Sequence, residues 1–158
     1  MFKKWIRTGV IAALLAGTAP AGAMPQCKPI GGVGTANLYA EGEGRPVIIS
    51  AMMAGSVSHA AGKITAQRET PSGLEMDMEH YFGTAENGGM NTKDFGVLTA
   101  VPGKPGRYMV EITYTVQEDV TRGSLKGYKG QFTSFGLADL RDPDDMKVLV
   151  RYSGEICK

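Results

Sequence analysis

Met76-x-Met78-x-His80 is the sharpest chemical pattern in the chain. Alternate positions of an extended strand lie about 6.6–7 Å apart on one face, so two thioethers and an imidazole would converge on one ion or one ligand. That donor set suits copper(I). Leu74 and Phe82 complete the same face, however, and methionine is a common filler of irregular cores. The plainer reading makes this face a core lining. His80 then needs a hydrogen-bond partner, because an unsatisfied buried polar group is costly. Tyr108, Tyr114 and Tyr152 are the candidates for that partner.

Other groupings carry less. Glu75, Asp77 and Glu79 have the alternate spacing at which glycosidase carboxylates converge, but the opposite face of their strand is apolar, which makes them a solvated surface. Asp142-Pro143-Asp144-Asp145 resembles the start of a calcium loop, yet Met146 takes the expected third ligand position and the glycine is missing. His59 shares a face with Lys63, Thr65 and Gln67 and reads as exposed. Ser56 and Ser58 lie near it, but there is no nucleophile elbow and no third group for a serine triad. Gly32-x-Gly34 precedes an alternating strand rather than a helix, which excludes a phosphate loop. No catalytic residue, no metal ligand and no cofactor is assigned.

The elements that must position these residues are strands. Period-two alternation bounded by Gly, Pro, Asn and Asp predicts strands over about 33–41, 46–55, 57–68, 74–84, 91–101 and 107–118. In the third, Ala60, Gly62, Ile64 and Ala66 share a face. In the sixth, Tyr108, Val110, Ile112, Tyr114 and Val116 do. Gly127–Cys157 adds a final pair around Asp142–Asp145, after an irregular link, Asp119–Lys126. In this pair Phe132, Ser134, Gly136, Ala138 and Leu140 alternate with polar and apolar neighbours, and Met146, Val148, Val150, Tyr152 and Ile156 form one face. The inward faces of the second and seventh strands are not readable. Asn87-Gly88 marks the strongest tight turn. There is no convincing amphipathic helix, no repeat and no interdomain linker. Eight antiparallel strands of this length close into a barrel that leaves no exposed edge; a β-sandwich is the alternative.

The N-terminus reads as a signal peptide over residues 1–23. Lys3, Lys4 and Arg7 precede the apolar run Gly9–Ala16, and Ala21-Gly22-Ala23 supplies the small residues of a cleavage site. The run is shorter than the roughly 20 residues that cross a bilayer. Residues 24–158 then form one domain, periplasmic or secreted. The 17 basic residues include three in the leader, against 16 acidic ones, so the mature part is close to neutral. That excludes the basic footprint of a nucleic-acid binder and a polybasic membrane patch. Cys27 and Cys157 sit near the two ends of this part, and an oxidising compartment makes a disulfide the default. A zinc site is the weaker option, since two cysteines with no neighbouring His cannot complete one. The bridge requires Cα atoms within about 7 Å, which a barrel pairing its first and last strands supplies.

Thr121–Phe132 and Leu149–Cys157 together resemble the closing part of the allene oxide cyclase and dirigent superfamily, including small exported bacterial members. The resemblance covers residues 121–157. It implies an eight-stranded antiparallel barrel, often a homo-oligomer, with a cavity for a small apolar molecule. It carries over no site residue. The expected function is an exported barrel binding such a molecule in its interior or mouth, lined by Met76, Met78, His80, Phe82, Tyr108 and Tyr114. The alternatives are a ligand-free scaffold presenting loops such as 119–126 to a partner, and an isomerase- or cyclase-like barrel. The sparse catalytic groups lean away from an enzyme.

Overall fold

Cys27 and Cys157 face one another across a single rung of sheet, where their sulfurs are joined and their Cα atoms lie 4.0 Å apart. That rung belongs to the seam closing the fold. The computed structural model describes residues 24–40, 42 and 44–158. The expected signal peptide, residues 1–23, lies outside the described residues.

The elements are β1 (Cys27–Ala40), β2 (Val47–Gly55), β3 (His59–Thr70), β4 (Gly73–Gly83), β5 (Gly89–Ala100), β6 (Arg107–Val116), β7 (Lys129–Asp139) and β8 (Met146–Cys157). Each pairs antiparallel with the next and β8 pairs with β1, so the sheet is a closed eight-stranded barrel and not a sandwich. Two 3-10 turns, Glu118–Val120 and Gly123–Leu125, are the helical pieces among the described residues. None is long and apolar enough to cross a membrane.

β1 begins six residues before the expected start. Its first residues pair with β8, while pairing with β2 begins only at Gly32. Pro29 therefore stands where the strand has a neighbour on one side, and a missing N–H is tolerated there. A second departure is Ala66. Register shifts between Ile64 and Ala66, so the chain flips face and Ala66 is exposed while Ala60 and Ile64 stay buried. A one-residue slip moves every later side chain to the other face.

Elsewhere the alternation holds. Met76, Met78, His80 and Phe82 point inward from β4, Val110, Ile112, Tyr114 and Val116 from β6, and Phe132, Ser134 and Ala138 from β7. In β2 the inward set is Val47, Ile49, Ala51 and Met53, a face the near-continuous apolar run concealed.

The two ends differ. At the disulfide end the links 56–58, 84–88 and 117–128 lie across the opening, and Val57, Met90, Leu125, Tyr128 and Ile156 are almost wholly enclosed. The 119–126 segment is packed into this closure, with Gly89 and Arg122 exchanging backbone hydrogen bonds at 3.0 and 2.8 Å. It is a lid on the core rather than a free loop. At the other end Leu38, Val47, Leu74, Tyr108, Leu140 and Val148 are half-buried and form an apolar rim.

Candidate functional site

Small inward residues leave space between the aromatic half of the interior and this rim. Gly34, Ala36, Ala51, Ala60 and Ala138 border a cavity of about 60 Å³, with Ile49, Met53, Leu98, Val148 and Val150 on its walls. Met78, His80, Phe82 and Tyr114 also line it. Of the six residues expected at a site, these four are brought together. Met76 is buried, level with Gly96 in the β4–β5 ladder, and Tyr108 sits at the rim; neither lines the cavity.

The aromatic half is tightly ordered. Tyr114 and Phe132 stack at 4.6 Å, and Phe82 meets both edge-on at 5.3 and 5.4 Å. Such pairs contribute about 0.5–1.5 kcal/mol beyond their burial. Tyr114 Oη and Ser134 Oγ share a hydrogen bond of 3.0 Å. Burial pushes the Tyr114 hydroxyl well above the ordinary tyrosine range, so it stays protonated.

His80 takes none of the expected tyrosines as its partner. Tyr114 presents its ring edge to the imidazole at 5.7 Å but commits its hydroxyl to Ser134. Tyr152 Oη donates to the carbonyl of Ala54 and accepts from the amide of Val57, each at 3.3 Å, tying down the 55–58 turn. The partner is Asp94 on β5, whose Oδ2 lies 2.7 Å from His80 Nδ1, with its side chain fully enclosed. Asp94 stands level with Met78 and His80 level with Thr92, so the bond runs diagonally between strands. Burial raises the Asp94 carboxyl above its ordinary value, and the bond to His80 opposes that shift. With the carboxylate ionised, Nδ1–H donates to it, the tautomer is fixed, and Nε2 is left as the basic edge. Among the described residues Nε2 makes no hydrogen bond to the protein.

Asp94 and Ser134, the partners of His80 and Tyr114, belong to no chemical pattern in the sequence. The signal for Asp94 is its phase: Met90, Thr92, Asp94, Gly96 and Leu98 share one face of β5, and a carboxylate there faces inward. His59 is exposed, as its neighbours imply, with Ser58 Oγ 3.0 Å from its Nδ1. Glu75, Asp77 and Glu79 form outward ion pairs with Arg68 and Lys63. The cluster of potential metal ligands among the described residues is Cys27, Glu155 and Cys157, whose sulfurs are consumed in the disulfide.

The chain can therefore do two things chemically. It can hold a few apolar atoms, and it can place an imidazole that Asp94 orients among the residues lining that space. Compared with protein-family models, with curated proteins and with solved structures, the chain matches none.

Proposed function

We propose that the protein is exported and binds one small, mostly apolar molecule at the open end of its barrel. The observation that carries this is an otherwise apolar cavity with the Asp94-oriented imidazole of His80 among its lining residues. A mostly apolar cavity with one oriented polar group on its lining is the pattern of a small-molecule site. The cavity is well below the roughly 300–1,000 Å³ of ligand pockets, so the molecule would place one end against His80 and the rest in the mouth. Met53 and Met78 line the space, and unbranched thioethers yield readily to a guest.

The closed eight-stranded barrel is also what the resemblance to the allene oxide cyclase and dirigent superfamily implies, which supports the proposal at the level of architecture. The disulfide fits an oxidising compartment, hence a periplasmic or secreted location. The ion-paired outer face of β3 and β4 is the reverse of a transmembrane barrel, whose outward face is apolar. No catalytic step is proposed; the isomerase- or cyclase-like alternative would use the same imidazole as its base.

Binding is tested by titrating N-phenyl-1-naphthylamine, a neutral apolar fluorophore, alongside native mass spectrometry of the protein as isolated. Ala51→Leu and Ala36→Leu fill the cavity from paired positions on the neighbouring strands β2 and β1 and should each abolish probe binding while strand circular dichroism is retained. Unchanged probe affinity in both folded variants would exclude the cavity as the site. The scaffold alternative is favoured by a separate observation, the apolar rungs outside the barrel.

A further inference from the structure

The outside of the barrel has two unlike halves. Across β3 and β4 the outward side chains are ion-paired, Lys63 with Glu79 at 3.1 Å and Arg68 with Asp77 at 2.8 Å. Across β6, β7 and β8, one rung aligns Met109, Leu137 and Leu149, each more than half exposed. The adjoining outward rung aligns Glu111, Phe135 and Arg151, with Phe135 62% exposed. Phe95 on β5 has the Arg68 guanidinium over its ring at 5.9 Å, but no ring or cation covers Phe135 among the described residues. Glu111 and Arg151 likewise form no ion pair among them.

The four apolar side chains together present on the order of 500 Å², at the upper end of what monomers leave uncovered. Their flanking charges indicate what covers them. Glu111 and Arg151 stand at one level on the strands either side of Phe135. A two-fold axis along β7, lying in the plane of contact, carries β6 of one copy over β8 of the other. Glu111 then meets Arg151 twice, Met109 meets Leu149 twice, and Phe135 and Leu137 meet their own counterparts. A face that is its own complement under one rotation is the mark of an isologous contact. Doubling the patch gives about 1,000 Å² before any rim, the threshold of a specific interface. The rung beyond, Arg107, Asp139 and Lys147, carries its own ion pairs and ends the apolar area.

We infer that this face joins two copies of the chain in a two-fold dimer with the β7 strands side by side along the axis. The aligned packing of two sheets accommodates this arrangement. Nothing in it closes the open end of the barrel, so it is independent of ligand binding.

Sedimentation equilibrium on the disulfide-bonded protein tests it. A dimer is expected; a monomer at every concentration up to about 100 μM, or a trimer, overturns the inference. Phe135→Glu should give a monomer with unchanged strand circular dichroism. Glu111→Arg and Arg151→Glu should each weaken dimerisation at least ~10-fold, since each sets like charges together at both symmetric positions. The double variant Glu111→Arg/Arg151→Glu should return the constant to within about threefold of the parent. Failure of the double variant to recover, or no effect of either single reversal, overturns the two-fold geometry.

Discussion

A methyl group on Gly62 would sit 2.8 Å from Cγ of His80, its neighbour across the β3–β4 ladder. One edge of the imidazole occupies the volume that any side chain at 62 would take, and the other edge reaches Asp94. The same methyl would lie 2.7 Å from the Glu79 carbonyl, which belongs to the backbone and cannot swing aside. Gly62→Ala should therefore push the ring off Asp94 and cost about 1–3 kcal/mol, the usual penalty of overpacking. A lower urea midpoint with unchanged slope would register it; an unchanged midpoint would show that the ring moves freely.

The raised Asp94 carboxyl gives a pH signature. The folded chain holds this proton more tightly than the unfolded chain, so protonated Asp94 stabilises the fold in acid. That contribution is complete below the ordinary value of 3.8 and is lost as pH climbs through the elevated folded value. Asp94→Asn keeps the shape and the acceptor for Nδ1–H but does not titrate. Its stability relative to the parent should rise as pH is raised above about 4, measured by urea unfolding at a series of pH values. A difference flat with pH would mean Asp94 is not desolvated.

Tyr114 and Ser134 form a closed polar pair inside the aromatic half. Tyr114→Phe strands the serine hydroxyl and Ser134→Ala strands the phenol, each costing about 1–3 kcal/mol. The double variant should cost less than the sum, because it removes both partners together. A double-mutant cycle by chemical denaturation reads the coupling, and strict additivity would show the bond contributes nothing.

Replacing both cysteines by serine should lower stability by roughly 4–5 kcal/mol on the chain-entropy account of a bridge spanning 130 positions. The barrel should nonetheless survive, since β1 and β8 pair along their length from Cys27 to Leu38. Retained strand circular dichroism with a lower denaturant midpoint is the expected result.

The barrel was legible because its signals are local. Alternation in β4 and β6 fixes which side chains point inward, and turn residues such as Asn87-Gly88 fix where strands stop; Asn87 adopts a φ of 56° as such a turn requires. The cysteine positions near the two ends anticipated the seam. What stayed hidden depends on relations between strands. The face of Ala66 hinges on a bulge, which alternation cannot reveal because both phases of an Ala- and Thr-rich strand look alike. Asp94 was hidden for a related reason. A lone carboxylate on an apolar face draws notice only when paired with the histidine diagonal to it, and that diagonal is set by register. The exposed rungs on β6, β7 and β8 needed the same knowledge, since Met109, Leu137 and Leu149 are far apart in the chain.

The sulfur bridge at the seam also decides how the molecule bears mechanical load. Gln26 and Lys158 exchange backbone hydrogen bonds at 2.9 and 3.0 Å just outside Cys27 and Cys157. Tension applied at these two residues breaks that small clasp and then runs through the covalent link, bypassing every strand between. Pulled from its ends in an optical trap, the oxidised protein should lengthen hardly at all, whereas adding a reductant would let the whole ribbon unzip from the β1–β8 side.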